Sequence, residues 1–295
     1  MFGFLNLHKP LGCTSHDCVA QIRRLAQTRR VGHGGTLDPL ASGVLPLAIG
    51  QATRLLPYLP KTKSYQGIIR FGITTTTDDL AGEILQQCPT KDLSLAQIQS
   101  HLPEFLGRVL QIPPQYSAIQ KDGQRLYALA RAGIAVAVPS RWVDIFSLNI
   151  LEWRPGEPAE LAMEITCGEG TYIRSVARDW GQKVGTGATL AKLVRTLAGG
   201  MSLEHSWHLA SLREQPDDLS RALIMPKEAL THLPQIHLAE PESKRWFYGQ
   251  RLLVEPQQPG LRVVIDEGGA CVGIGEIRLE TESKVLHPQV VLNRP

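Results

Sequence analysis

Apolar residues recur along the chain with two periods, and the switches between them predict an alternation of strands and helices. Phe4-Leu5-Asn6-Leu7-His8 alternates as a short strand, which Lys9-Pro10-Leu11-Gly12 breaks. Thr14 or Ser15 then caps a helix carrying Val19, Ile22 and Leu25 on one face. Val44-Leu45-Pro46-Leu47-Ala48-Ile49 is a continuous apolar run, the mark of a buried strand. Residues 51–58 read as a helix running into Pro57 and Pro60, and residues 65–72 as a strand. The polar stretch Thr74–Thr77, with Asp78, Asp79 and Gly82, reads as a loop. A helix is expected over 94–106, with Pro103 as its break point, and a short one over 126–133 after a hairpin turn at 121–125. Residues 141–146 and 160–167 alternate as strands, and in the second Leu161, Met163, Ile165 and Cys167 share a face. Gly168-Glu169-Gly170 turns into a helix that carries Val176, Trp180 and Val184 and ends at Gly185, and residues 187–197 follow as a strand.

The text then changes. Residues 202–234 are loop-rich, with Pro216, Pro226 and Pro234, and read as closing one domain and linking to another. Beyond them come a small helix at 242–248, strands at 261–266 and 271–279 around a Glu267–Ala270 hairpin, and a last strand at 286–292. A chain of 295 residues suits one large domain, 1–234, and one small one, 235–295.

Composition narrows the chemistry. Five scattered cysteines without a CxxC pair argue against a disulfide framework or a zinc site and fit a cytoplasmic protein. No apolar run approaches the ~18 residues of a membrane span. Net charge is only +3, but it is uneven. Lys9, Arg23, Arg24, Arg29 and Arg30 against Asp17 leave residues 1–35 at +4; Arg174, Arg178, Lys183, Lys192 and Arg195 against Asp179 leave residues 170–195 at +4; the remainder carries −5. Two basic segments on a slightly acidic body fit a polyanion surface as well as they fit solvated helix faces. The Asp78-Asp79 pair has no further ligand at a metal-binding spacing, and no Walker loop or dinucleotide fingerprint occurs, so neither metal nor cofactor is expected.

One stretch organises the rest. Asp38 sits among Gly32, Gly34, Gly35 and Pro39, with Gly43 beyond, in a stiff loop that feeds the buried strand at 44–49. Asp-Pro alone is an ordinary turn opener. The whole string His33-Gly34-Gly35-Thr36-Leu37-Asp38-Pro39-Leu40-Ala41-Ser42-Gly43, however, resembles the catalytic motif of the TruB family, the bacterial tRNA pseudouridine synthases that act on uridine 55. Gly34 stands where that family usually has Thr or Ser. Four further segments resemble family motifs in the same order: Leu7–Gly12, with His8 in place of the usual Asn; the strand opening at Tyr65; Gln111-Ile112-Pro113-Pro114-Gln115-Tyr116-Ser117-Ala118; and Gly170-Thr171-Tyr172-Ile173-Arg174. Ala191–Thr196 is similar to its Leu-x-Arg segment, and the carboxyl-terminal end is similar to a small PUA-like RNA-binding barrel.

The resemblance implies an α+β pseudouridine-synthase fold, a mixed and mostly antiparallel sheet flanked by helices and loops, with that barrel appended. It implies an isomerase needing no cofactor, with Asp38 as nucleophile at either C1′ or the uracil ring. Tyr65 would stack on the flipped base and exchange a proton, and Arg174 would hold Asp38 by two charge-assisted hydrogen bonds. Tyr172 and Leu193 would line the base pocket, His33 would fill the space left in the RNA loop, and Lys9 would support the active-site loop. Lys121 and Arg125 are candidate phosphate contacts. The implied partner is the T arm of tRNA, bound by a monomer without a protein partner. A tRNA-folding chaperone and a guide-RNA-dependent synthase are the competing readings.

Overall fold

The computed structural model describes residues 1–116, 120–121, 124–125, 138–255, 258–280 and 283–292. Ser117, Ala118, the turn at 122–123, the helix expected over 126–133 and the side chains of Lys121 and Arg125 lie outside the described residues. The chain forms two compact units: Met1–Leu37, Val44–Pro60 and Ala198–Pro295 in one, Asp38–Gly43 and Lys61–Leu197 in the other.

In the second unit, neighbouring strands run in the order Ala188–Ala198, Lys63–Phe71, Glu160–Cys167, Arg141–Arg154 and Gly107–Gln111. The last three pairings are antiparallel. Period-two alternation sets the buried face. Leu161, Met163, Ile165 and Cys167 are all buried, as are Tyr65, Ile69 and Phe71 on the adjacent strand. The helix Ile173–Lys183 buries Ile173, Val176, Ala177 and Trp180, and Val184 caps it before Gly185. Trp180 packs its ring 5.1 Å from that of Phe105 and donates its indole N–H to the Ile98 carbonyl, so its one polar atom is satisfied inside the core. The expected helix at 94–106 is capped by Ser94 and splits at Pro103 into an α-helix, Leu95–Ser100, and a 3-10 turn, Leu102–Phe105.

Two readings are corrected here. The polar stretch 74–82 is not simply a loop: Ile73–Thr75 pairs with Ile84–Gln87, a hairpin whose second strand is exposed along its length and too short to show alternation. The strand at 141–146 continues to Arg154, because its far half is held by antiparallel pairing to 160–166 rather than by burial.

In the first unit, Gly3–Lys9 lies beside the strand Ala41–Ile49, whose end pairs with Val31–His33. The helix Ser15–Leu25 has a full capping box: Thr14 accepts from the Asp17 N–H and Asp17 reaches back to Thr14. Its Val19 and Ile22 are buried with Leu5, Leu7, Leu45 and Leu47. Residues 50–58 form a 3-10 helix. Residues 202–234 are not a linker. Trp207–His208 and Leu223–Ile224 both pair with Gly3–Lys9, and Leu209, Leu212, Leu219 and Leu230 are buried. Each such leucine contributes about 1.5–3 kcal/mol of burial, which a solvated connector would not supply. The carboxyl-terminal sheet has five strands in the order Gln235–His237, Gly260–Ile265, Cys271–Glu280, Ser283–Val291 and Leu252–Leu253. Val263, Ile265 and Ile274 of this sheet share one buried cluster with Phe4, Val44 and Ala48. All five cysteines are free thiols. Among the described residues, no helix is long and apolar enough to cross a membrane.

Candidate active site

Asp38 and Arg174 stand 136 positions apart in the chain, yet Arg174 Nη2 lies 2.9 Å from Asp38 Oδ2. The turn after Asp38 is tight: the Ala41 N–H donates to the Asp38 carbonyl at 3.0 Å. Residue 37 just before it is pinned by Ser15, whose hydroxyl accepts from the Leu37 N–H at 2.8 Å and donates to its carbonyl at 3.1 Å. The far end of the loop is fixed by Gly43. Its φ is +107°, and a Cβ there would sit 2.2 Å from the Arg195 carbonyl oxygen on the paired strand. Gly43→Ala is therefore expected to cost about 2–4 kcal/mol of stability, since neither backbone can retreat without breaking the pairing. Chemical denaturation of the two proteins checks this.

The Asp38 carboxylate is 39% exposed, whereas the Arg174 side chain is only 6% exposed. One ion of the pair faces solvent, where a substrate can reach it, and the other is the buried support. Arg174 donates to the carbonyls of Thr77 at 3.0 Å and Tyr116 at 3.1 Å. On its other side Asp79 Oδ2 lies 3.6 Å from Nη1, and Asp79 is itself buried. The Asp79 carboxylate accepts from Thr77 Oγ1 and from the Ala81 N–H. A buried guanidinium with two carboxylates and two carbonyls around it has little rotational freedom left, so its direction toward Asp38 is fixed before substrate arrives. A turn further along the helix, Arg178 bridges Asp78 at 2.9 Å and Asp179 at 2.8 Å. Burial pushes the carboxyls of Asp78 and Asp179 up, and Arg178 pulls both back. The acidic pair at 78–79 is thus spent on two arginines. Among the described residues, no group of three or more His, Cys, Asp or Glu could hold a metal ion.

Tyr65 lies on the buried face of its strand, near enough to Asp38 for the carboxylate charge to act on it. Burial pushes its phenol above the ordinary tyrosine range, while Arg195, hydrogen-bonded to the hydroxyl, pulls the other way. At neutral pH Tyr65 is therefore a neutral phenol. A guanidinium has only donors, so the Tyr65 oxygen accepts from Arg195 and its own proton is left for another acceptor. Tyr172 caps the helix that carries Arg174, and Gln111 grips its backbone at both ends: Nε2 donates to the Tyr172 carbonyl at 3.0 Å, and Oε1 accepts from its N–H at 2.8 Å. The Arg141 guanidinium lies over the Tyr172 ring, 4.8 Å from its centroid, and also donates to the Gly170 carbonyl. Leu193 is buried in the strand that pairs with residues 41–43, and its Cδ1 is 3.5 Å from where a Cβ on Gly67 would be.

Asp38, Tyr65, Arg174, Tyr172 and Leu193 all belong to the second unit. Lys9 and His33 belong to the first. Lys9 is completely buried, and its ammonium donates to the carbonyls of Pro10 and Cys13, which stiffens the turn before the first helix. His33 Nδ1 accepts from the Gly35 N–H at 3.3 Å. At Gly34 the backbone N–H donates to the Pro46 carbonyl at 2.8 Å, a bond that needs no side chain. Asp79, Gln111 and Arg195 also hold this site, although from the sequence Asp79 reads only as half of an acidic pair and Gln111 and Arg195 only as members of family-like segments. The usable signal was Arg195 at an alternate position from Leu193 on a buried strand, which puts a charge on an apolar face.

Comparison with known proteins agrees with this architecture. The fold is that of a pseudouridine synthase. The chain superposes with a TM-score of 0.74 on a chain of the "Crystal Structure of a Cbf5-Nop10-Gar1 Complex", at 24% identity over 98% of this chain and 84% of that one. The family description "TruB family pseudouridylate synthase (N terminal domain)" matches residues 23–173, and "Pseudouridine synthase II TruB, C-terminal" matches residues 234–292. The tRNA pseudouridine synthase B of Synechocystis sp. is 57% identical over 99% of this chain and 100% of its own, and that of Gloeothece citriformis 52% over 99% and 98%. The chain belongs to the TruB family of pseudouridine synthases.

Proposed function

We propose that this protein is a tRNA pseudouridine synthase, an isomerase that converts uridine 55 in the T arm of tRNA to pseudouridine. The observation that carries the reading is the exposed Asp38 carboxylate held 2.9 Å from a buried arginine, beside the neutral phenol of Tyr65. The reaction detaches uracil from C1′ and rejoins it through C5, with the proton at C5 lost to water and N1 taking up a proton in its place. It requires a nucleophile, a group that moves a proton and a dry pocket in which the ring can turn. Asp38 is the nucleophile and Arg174 orients it. Tyr65 stacks on the flipped uracil and offers its one free proton, with Tyr172 and Leu193 as pocket walls. His33 takes the place of the base in the RNA loop, and Lys9 supports the loop that carries it. The basic segments engage tRNA phosphates, which makes affinity fall with salt. Residues 1–234 serve as the catalytic domain and 235–295 as an RNA-binding one. The enzyme acts in the cytoplasm as a monomer, without a guide RNA or protein partner.

The test uses purified protein and an unmodified tRNA transcript tritiated at C5 of uridine. Stoichiometric release of tritium to water from one position, without any added partner, is the expected result. Tight binding without release would replace this reading with a tRNA-folding chaperone, and release only on adding a guide RNA with its proteins would replace it with a guided synthase.

A further inference from the structure

The strand that carries Tyr65 places a second charged residue on the same face. Along Lys63–Phe71, residues Lys63, Tyr65 and Gly67 share one side of the sheet. Gly67 abuts Leu193 on one neighbouring strand, and two residues beyond Leu193 is Arg195, which is hydrogen-bonded to Tyr65. On the other neighbouring strand Tyr65 faces Ile165 and Lys63 faces Cys167. Lys63 is thus one step along the site face from Tyr65.

The charges acting on it do not balance. Among the described residues, Lys63 feels two cations, Arg195 and Lys61, and one carboxylate, Glu169. That carboxylate already pairs with Lys61, its Oε2 3.2 Å from Nζ. Arg195 is completely buried and turned to the Tyr65 hydroxyl. The Lys63 ammonium is left half-buried, and among the described residues it makes no hydrogen bond or ion pair. Burial, and then the neighbouring Arg195, pull it below the usual lysine range. A half-desolvated cation beside another cation is one half of an ion pair whose anion must come from elsewhere. A flipped nucleotide brings that anion with it: when its base enters the pocket, the phosphodiesters on either side of its ribose follow to the rim.

We propose that Lys63 forms a phosphodiester subsite, binding a backbone phosphate adjacent to the target uridine while the base lies against Tyr65. This rests on the function proposed above. The ammonium is a compact point charge with three donors, suited to one non-bridging oxygen. It acts on ground-state and transition-state complexes alike, so it raises affinity without changing the chemical step.

The test combines protein variants with a scan of the RNA. A T-arm hairpin is made with every phosphate intact, and as a series in which one phosphate at a time is replaced by an uncharged methylphosphonate. In Lys63→Met the RNA concentration for half-maximal single-turnover rate is expected to rise about tenfold. The saturating rate is expected to stay within about twofold, and the salt slope of binding to fall by about one. With wild type, neutralising one phosphate next to the target uridine costs the same factor. With Lys63→Met that position costs nothing further, while other positions keep their penalties. Lys63→Arg retains the charge and retains the penalty at that position, which separates loss of the contact from loss of the fold. Equal penalties at every position in wild type and Lys63→Met would overturn the proposal, as would wild-type affinity in Lys63→Met. If wild type forms no pseudouridine on the intact hairpin or on full tRNA, it is the proposed function that fails, and the binding scan still decides whether Lys63 holds a phosphate.

Discussion

Asp38→Ala is expected to lower pseudouridine formation by at least about 10⁴-fold while tRNA affinity stays within about threefold of wild type. The asymmetry follows from the geometry. The Asp38 carboxylate is partly exposed at the end of a tight loop, and among the described residues its ion-pair partner is Arg174. On the proposed function, removing the carboxylate takes away the nucleophile and leaves the basic segments that would meet phosphates untouched. Arg174 keeps its bonds to the Thr77 and Tyr116 carbonyls and its contact with Asp79, so its position survives. Asp38→Asn keeps the shape and one acceptor but neutralises the carboxylate, and is expected to fall as far. Tritium release measures the first quantity and filter binding the second. Residual turnover within about a hundredfold of wild type in Asp38→Asn would mean that another group attacks.

Arg174→Met is the other large effect, and it acts on stability and catalysis together. The variant fills much of the same space but leaves the buried Asp79 carboxylate without its cation. Removing one partner of a buried pair costs about 3–5 kcal/mol. The exposed Asp38 adds little to that figure, because water screens it. Activity is expected to drop by about 10²–10³-fold, as Asp38 loses the cation it is paired with. A second substitution separates the two effects. In Arg174→Met with Asp79→Asn, the orphaned charge is gone, so the urea midpoint should recover most of the loss with an unchanged slope. Activity should not recover, since Asp38 remains unsupported. Recovery of both would show that Arg174 matters only to the fold.

Much of the local structure was written in short-range signals. Thr14 and Asp17 specify a helix start by bonds that span three residues. The alternation of Leu161, Met163, Ile165 and Cys167 specifies a strand with one buried side. Pro103 breaks a helix because it lacks an N–H, whatever surrounds it. The motif around Asp38 likewise marked one half of an ion pair, and the motif ending in Arg174 marked the other, although nothing local says that the two meet. Where strands are short and exposed, as at 84–87, or only two residues long, as at 202–234, no periodicity exists to be seen, and the pairing partner decides the outcome.

The sequence by itself determined most of the helices and longer strands and which family the chain resembles, because these depend on residue type and near neighbours. Only the tertiary structure decided which charges are buried and what they are paired with. Asp79 and Arg195 look like solvated charges in a loop and on a strand. They become the support of Arg174 and Tyr65 because folding removes water from them and brings those groups within reach as partners. Burial and pairing across a hundred residues are properties of the packed chain, since the cost of desolvating a charge and the partner that offsets it both exist only once distant strands have come together.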